Sequence, residues 1–167
     1  MTPRLLVAYA TKKGSVAEVA EFIGDTLRDR GLDVDVQPAS AVKSVDGYDR
    51  VVLGGALYMG RWHADAKAFL KRHHEALATV PLAVFAMGPL TLEEKDVAGA
   101  RTQLDRALRG QPDLAPVSVA VFGGVVDPAK LRFPFNRMPA TDTRDWDRIR
   151  EWALEVETKA GDVAGVA

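Results

Sequence analysis

Residues 5–23 of the chain read LLVAYATKKGSVAEVAEFI and change character twice. An apolar run typical of a buried strand ends at Ala10, a short polar segment with one glycine follows, and helical periodicity begins at Val16. In such a unit the first N–H groups of the helix face the loop and lack partners within the helix. The stretch therefore predicts a parallel α/β fold and an anion-binding loop at Thr11–Ser15.

The same alternation of apolar runs and helical segments continues along the chain. Five strands are predicted, at Arg4–Ala10, Leu32–Gln37, Arg50–Gly55, Pro81–Ala86 and Val117–Phe122. Four helices are predicted, at Val16–Asp29, His63–Ala78, Glu93–Leu108 and Arg144–Lys159. Between the second and third strands, Ser40–Asp46 is predicted to form only a turn or a brief helix.

These elements predict a flavodoxin-like, doubly wound, three-layer α/β/α fold with a five-stranded parallel sheet in the order 2-1-3-4-5. Most strands are apolar on successive residues, as in strands covered on both faces, while residues 32–37 alternate as in an edge strand. A single domain is expected at residues 1–160, with a flexible tail at 161–167. Ligands of such sheets bind where the winding reverses, here at Thr11–Ser15 and Ala56–Trp62.

Composition and charge exclude several classes of function. The chain has 22 Lys and Arg against 23 Asp and Glu, so no basic field favours nucleic acid. It has no cysteine, which excludes disulfides, thiolate catalysis and cysteine-ligated metals, so redox chemistry needs a cofactor. The apolar run near the N-terminus is too short for a signal peptide or a membrane span, and a cytoplasmic protein is expected.

The loop at Thr11–Ser15 carries the groups that a phosphate monoester needs. Gly14 lets the backbone curl around an anion, and the hydroxyls of Thr11 and Ser15 can donate hydrogen bonds to it. The loop matches neither the P-loop nor the G-x-G-x-x-G pattern, which favours a single terminal phosphate over a pyrophosphate. Two alternatives stay open: Ser15 and Glu18 could form a capping box, and the two lysines of the loop could be solvated surface residues.

Four stretches resemble a known family in order and spacing. They are VAYATKKGSVAEVAEFI (7–23), DRVVLGGALYMGRWHADAKAFLKRH (49–73), VFGGVVDPAKLRF (121–133) and ATDTRDWDRIREWALEV (140–156). Together they are similar to the menaquinone-dependent protoporphyrinogen IX dehydrogenase family of flavodoxin-like proteins. The Thr-Asp-Thr-Arg match is the most specific to that family, whereas the phosphate loop is shared with flavodoxins in general.

The resemblance implies FMN as the cofactor and assigns residues to it. The residues implied around the phosphate are Thr11, Lys12, Lys13, Gly14, Ser15 and Val16. Those implied around the isoalloxazine ring are Ala56, Leu57, Tyr58, Met59 and Gly60 on one side and Met87, Gly88, Pro89 and Leu90 on another. A flavin ring needs flat apolar neighbours and backbone N–H donors, which loops of this composition supply.

The segment before the last helix departs from the family, which carries a longer, basic and partly apolar insertion there. Only LRFPFNRMPATDTR, residues 131–144, remains, and its two prolines disfavour a long amphipathic helix. The resemblance implies a porphyrinogen substrate, a quinone or similar electron acceptor, and a peripheral membrane contact at this segment. Arg132 and Arg144 are candidates for pairing with porphyrin carboxylates.

Several residues have plain structural interpretations beside these roles. Tyr58 could be an ordinary exposed aromatic, Trp62 a packing residue, and Gly54 and Gly55 the exit of a strand. His63 at a helix start is interpreted as structural. The adjacent His73 and His74 face different directions on a helix, so no metal site is predicted there. Asp142 and Thr143 are residue types that suit helix N-caps.

Three functions are weighed. The leading one is an FMN-dependent oxidoreductase that passes electrons from an organic substrate to a quinone-type acceptor. The alternative is a flavodoxin-type electron carrier, which the balanced charge disfavours because such carriers are strongly acidic. A receiver-type signalling module is weak, because the strand ends at residues 8–11 and 54–56 carry no carboxylate.

Overall fold

The computed structural model describes residues 2–11, 14–89, 91–130 and 132–166, without the side chains of residues 135 and 162–166. Within them the long strands are β1 (Arg4–Ala10), β2 (Asp33–Pro38), β3 (Arg50–Tyr58), β5 (Leu82–Met87) and β6 (Ser118–Phe122). The two-residue strands are β4 (Arg61–Trp62), β7 (Val125–Val126) and β8 (Thr141–Asp142). The helices are α1 (Ser15–Arg28), α2 (Ala64–Arg72), α3 (His74–Leu77), α4 (Glu94–Leu108) and α5 (Trp146–Val166), with 3₁₀ turns at Ala39–Ala41, Pro128–Lys130 and Phe135–Arg137.

The long strands are all parallel and lie in the order β2-β1-β3-β5-β6. With the short strand β4 set aside, this is the predicted order 2-1-3-4-5, which is confirmed. The winding reverses between β1 and β3, which pair directly, with Ala10 opposite Gly55. The loops that follow these two strands therefore lie side by side at the carboxyl edge of the sheet.

Helices cover both faces of the sheet, and the side chains of β1 alternate between the two layers. Leu6 packs in the cluster that contains Phe69 of α2, together with residues of α4. Its neighbour Val7 packs in the cluster that contains Ile23 of α1, together with residues of α5. The strand is thus buried on both faces, which explains its unbroken apolar sequence and confirms the three-layer architecture.

Two glycines in β3 make room for large aromatic side chains. A Cβ at Gly54 would lie 2.0 Å from Cζ of Phe85, and a Cβ at Gly55 would lie 2.6 Å from Nε1 of Trp62. The strand continues beyond them to Tyr58. The interpretation of these glycines as a strand exit is wrong, because they are interior positions where a ring packs directly on the backbone.

The helices differ from the predictions at two places. The predicted helix His63–Ala78 is interrupted at His73, whose φ of −106° and ψ of 19° separate α2 from α3. The predicted helix Arg144–Lys159 begins at Trp146 and extends to Val166, so residues expected in a tail have helical backbone. Across the described residues, no helix combines the length and the apolar character that a membrane span requires.

The late start of α5 has a long-range cause. Val125–Val126 and Thr141–Asp142 pair as an antiparallel ribbon, which keeps the chain extended as far as Asp142. The cap is then Asp145, whose Oδ1 accepts a hydrogen bond from the Arg148 N–H at 3.1 Å. The assignment of Asp142 and Thr143 as N-caps is therefore wrong.

Candidate functional site

The loop after β1 ends in a helix N-terminus without a side-chain cap. Gly14 is the N-cap residue of α1, with a left-handed φ of 92°. Its N–H donates to Oγ1 of Thr11 at 2.9 Å, and the first helical bond runs from the Glu18 N–H to the Gly14 carbonyl at 3.3 Å. The N–H groups of residues 15–17 have no acceptor among the described residues. The loop therefore offers N–H donors and the positive end of the helix dipole to an anion.

The capping-box alternative for this loop is wrong. Ser15 is the first helical residue and not the cap, and its hydroxyl makes no hydrogen bond to any residue that the structure describes. The Glu18 carboxylate does not reach back to the loop but accepts a hydrogen bond from Nη1 of Arg144 at 2.6 Å. Val16 is fully buried in the core, so only its N–H can serve a ligand.

The loop after β3 is a two-residue hairpin whose tip is exposed. Tyr58 of β3 pairs with Arg61 of β4, and the residues between them, Met59 and Gly60, have φ of 52° and 78°. Two positive φ values match the turn that suits a hairpin, but they strain Met59, which carries a Cβ. Tyr58 is 45% exposed and Met59 is 72% exposed, so the tip presents an aromatic ring and a thioether at the surface.

The base of this hairpin is rigid. Trp62 is buried and its Nε1–H donates to the Gly55 carbonyl at 3.1 Å, which confirms its interpretation as a packing residue. The His63 N–H donates to the Ala56 carbonyl at 2.9 Å, while its Nδ1 accepts from the Asp65 N–H at 3.0 Å and caps α2. The structural interpretation of His63 is therefore confirmed. Ala56 is half-buried at this base.

The loops after β5 and β6 are joined by hydrogen bonds. The Gly88 N–H donates to the Phe122 carbonyl at 3.2 Å, and the Gly124 N–H donates to the Pro89 carbonyl at 3.1 Å. Oγ1 of Thr143 lies 3.1 Å from both the Pro89 and the Gly124 carbonyl oxygens, so its single hydroxyl proton is shared between them. The two loops form one wall beside the hairpin of β3 and β4.

This wall packs closely against the hairpin. A Cβ at Gly88 would lie 2.5 Å from Cβ of Leu57, so a larger residue does not fit there. Met87 is buried in the core and can offer only its backbone to a cofactor. Three predicted cofactor residues, Lys12, Lys13 and Leu90, lie outside the described residues.

Four large apolar side chains are exposed among the residues that the structure describes. They are Tyr58 and Met59 at the hairpin tip, Leu92 in the loop after β5, and Phe133 between β7 and β8. An apolar side chain in water is unremarkable when alone, but the adjacent Tyr58 and Met59 suit an apolar ligand or partner. The edge thus combines a helix N-terminus that suits an anion with the apolar tip of the hairpin.

The comparison with known protein families decides which fold family this geometry represents. A family model described as "Flavodoxin domain" matches residues 6–138. The chain belongs to the flavodoxin family. The match runs from within β1 to the segment after β7. It therefore includes the loops after β1, β3, β5 and β6, but it ends before Thr143.

Two curated relatives of this flavodoxin-family chain carry the same name. The chain is 22% identical to "Protoporphyrinogen IX dehydrogenase [quinone]" of Escherichia coli (strain K12), over 92% of this chain and 94% of the relative. It is 28% identical to the protein of that name from Leishmania major, over 82% of this chain and 60% of the relative. The resemblance to the protoporphyrinogen IX dehydrogenase family is thereby confirmed.

A solved structure supports the fold. The Fusobacterium nucleatum flavodoxin bound to flavin mononucleotide aligns with a TM-score of 0.56 and 13% identity, covering 94% of this chain and 98% of the flavodoxin. At this identity the likeness concerns the fold alone. It agrees with the predicted flavodoxin-like sheet.

The two arginines considered for substrate binding have different surroundings. Arg132 is exposed, before the 3₁₀ turn that begins at Phe135. Arg144 has a side chain only 10% exposed, which pairs with Asp142 at 2.7 Å and with Glu18 at 2.6 Å. Hydrogen bonding to the guanidinium lowers the pKa of Asp142, and hydrogen bonding chiefly to Asp142 raises the pKa of Arg144.

The adjacent histidines serve separate structural contacts. His73 is buried with its ring centroid 4.7 Å from that of Phe69, and His74 Nε2 lies 2.8 Å from Oδ1 of Asp113. No group of three His, Asp or Glu residues suited to a metal ion occurs among the described residues.

Sequence reasoning missed the residues that join the site to the C-terminal segment. Thr143 was considered only as a cap, and Gly123 and Gly124 only as part of a resembling stretch. A Cβ at Gly123 would lie 2.1 Å from the Thr143 carbonyl oxygen, so glycine is required for this close approach. The adjacent glycines directly after an apolar strand were the available signal.

Proposed function

We propose that the chain is an FMN-dependent oxidoreductase that passes electrons from an organic substrate to a quinone-type acceptor. One observation carries the proposal: a helix N-terminus that suits an anion lies beside the exposed hairpin of Tyr58 and Met59 at the same edge of the sheet. FMN has the matching two parts, a terminal phosphate and a planar, largely apolar ring. Membership of the flavodoxin family supports this cofactor.

The residues present fit FMN. The N–H groups of residues 15–17 and the hydroxyls of Thr11 and Ser15 hold the phosphate. No atom of the other described residues lies within 4 Å of a Cβ built at Gly14, so none of them fills the space beside the loop. Tyr58, Met59 and the wall at Pro89 line the ring. When bound, the flavin supplies the electron-transfer chemistry, and the protein sets its position and electrostatic surroundings.

Exposed apolar side chains support a quinone as acceptor, because Leu92 and Phe133 offer apolar surface in addition to Tyr58 and Met59. In each turnover two electrons and two protons leave the substrate and convert the quinone to a quinol. The name of the two curated relatives supports protoporphyrinogen IX as substrate. Arg132 is the better candidate for a porphyrin carboxylate, because it is exposed whereas Arg144 is already paired.

A second candidate is a flavodoxin-type electron carrier without a substrate of its own. Membership of the flavodoxin family suits this function as well. The balance of 22 basic and 23 acidic residues disfavours it, since carriers that dock on basic partners benefit from a strong acidic excess.

The test begins with FMN titration followed by the quenching of flavin fluorescence. The wild-type chain should bind, and a variant with Gly14→Glu and Ser15→Glu should not, because two carboxylates replace the anion site. The loaded protein is then mixed anaerobically with protoporphyrinogen IX and menadione, and porphyrin fluorescence is followed against a protein-free control. Porphyrin formation above the control supports the enzyme, whereas quinone reduction of a pre-reduced protein without porphyrin formation identifies the carrier. A chain that never binds FMN would contradict both.

A further inference from the structure

Arg144 joins the C-terminal part of the chain to the first turn of α1. Its Nη1 donates to Oε2 of Glu18 at 2.6 Å, across 126 residues of sequence. Its Nε and Nη2 donate to the two carboxylate oxygens of Asp142 at 3.0 and 2.7 Å, in a bidentate arrangement. The same guanidinium lies 4.9 Å from the ring of Trp146, whose ring contacts that of Phe22 on α1 with centroids 4.9 Å apart. Arg144 is therefore held from three sides.

The position of Glu18 gives this contact a consequence for the anion site. Glu18 lies in the first turn of α1, directly after the three N–H groups that face the loop. A carboxylate there is favourable for an empty helix N-terminus, but it repels a phosphate bound at the same end. Without a cation beside it, Glu18 would compete with the phosphate for the helix dipole.

We propose that Arg144 is a positioning residue for the FMN phosphate, which it serves by neutralising Glu18 without touching the cofactor. The inference rests on the proposed function, because it needs FMN as the ligand. It also gives the Thr-Asp-Thr-Arg stretch a role inside the protein: Asp142 orients the guanidinium, and the hydroxyl of Thr143 holds the neighbouring wall.

The test compares FMN with riboflavin, which has the same ring and no phosphate. Arg144→Gln should weaken FMN binding about three- to tenfold, the range expected for one uncompensated charge at a helix end. Riboflavin binding by the same variant should be unchanged. Arg144→Lys, which keeps the charge but not the bidentate fork, should lose less than Arg144→Gln. The matched control is Arg101→Gln, which removes an Arg–carboxylate pair with Asp105 on α4 and should alter neither affinity.

The double variant with Glu18→Gln separates neutralisation from direct contact. If Arg144 acts through Glu18, Arg144→Gln combined with Glu18→Gln should recover FMN affinity to within about twofold of the wild type. A double variant as weak as Arg144→Gln alone would overturn the inference, because it would mean that Arg144 contacts the phosphate itself. An equal loss for riboflavin would also overturn it, in favour of a general loosening of the site.

A single variant keeps the inference testable if Arg144→Gln fails to fold. Glu18 is 61% exposed at its side chain, so Glu18→Gln alone should fold and should tighten FMN binding about two- to threefold at low salt. Weaker FMN binding by this variant would contradict the inference. If the wild-type chain bound riboflavin and FMN equally, the phosphate site and this inference would both fail, while a flavin-dependent function would survive.

Discussion

Replacing the glycine at each end of α1 by alanine separates a backbone effect from a cofactor effect. Gly14 at the N-terminus has φ of 92°, and Gly31, just beyond the C-terminus, has φ of 87°. A Cβ at either position meets no atom of the other described residues within 4 Å. The two substitutions are therefore matched: each introduces a side chain into a left-handed conformation, and neither causes a clash.

The stability cost follows from the backbone alone. A non-glycine residue in the left-handed region costs about 1–2 kcal/mol relative to its preferred conformations. Alanine also restricts the unfolded chain more than glycine does, which offsets a few tenths of a kcal/mol of this cost. We expect Gly14→Ala and Gly31→Ala each to lower the free energy of unfolding of the apoprotein by about 1 kcal/mol. Asparagine tolerates the left-handed region better, so Gly14→Asn should cost less than Gly14→Ala.

The effect on FMN should differ between the two variants. If Gly14→Ala shifts the loop, at least one N–H no longer points at the phosphate, and a hydrogen bond to a charged group contributes about 1.5–3 kcal/mol. Affinity for FMN should fall about tenfold or more in Gly14→Ala and should not change in Gly31→Ala. Urea unfolding of the apoprotein and fluorescence titration with FMN measure the two quantities. Equal FMN affinities for both variants would refute the placement of the phosphate at this loop.

Three further changes test individual features. Met59→Gly should raise the free energy of unfolding by about 0.5–1 kcal/mol in urea, because φ of 52° strains any residue with a Cβ. Gly55→Ala should lower it by about 1–3 kcal/mol, because the new Cβ would lie 2.6 Å from Nε1 of Trp62. Burial, and then the adjacent Arg72, lower the pKa of His73 below the usual 6.5. The stability that neutral His73 contributes is therefore fully present above about pH 6.5, and it is lost as the pH falls through the lowered pKa of the folded state. His73→Gln should accordingly reduce the drop in urea midpoint between about pH 7.5 and 5.5, and an unchanged drop would exclude His73 as its source.

The sheet could be predicted from sequence because its signals are local. The runs at residues 4–10, 50–55 and 117–122 are apolar on successive residues, and burial on both faces is the simplest cause of such a run. The loop between β1 and α1 could be located for a similar reason, since a glycine between a strand and a helix restricts the local backbone to few arrangements, whereas its binding of an anion stays a prediction. In each case neighbouring residues carry the information.

The errors have a common cause in contacts between distant residues. Asp142, Thr143 and Asp145 are all good cap residues, and only the pairing of β8 with β7 selects Asp145. Glu18 has the spacing of a capping box, but Gly14 is the cap residue and the Glu18 carboxylate pairs with the distant Arg144. Two-residue strands and ion pairs across more than a hundred residues leave no periodic signal in the sequence.

The proposed cofactor site includes a part of the chain that the family match does not reach. The flavodoxin match ends at residue 138, yet the hydroxyl of Thr143 bonds to the Pro89 carbonyl, and Arg144 pairs with Glu18 in the first turn of α1. Trp146 then anchors this connection by its ring contact with Phe22 of α1. A flavodoxin sheet supplies the loops, and residues 141–146 connect the loops after β5 and β6 with each other and with α1, so we expect substitutions in this short segment to alter flavin binding while the sheet stays the same.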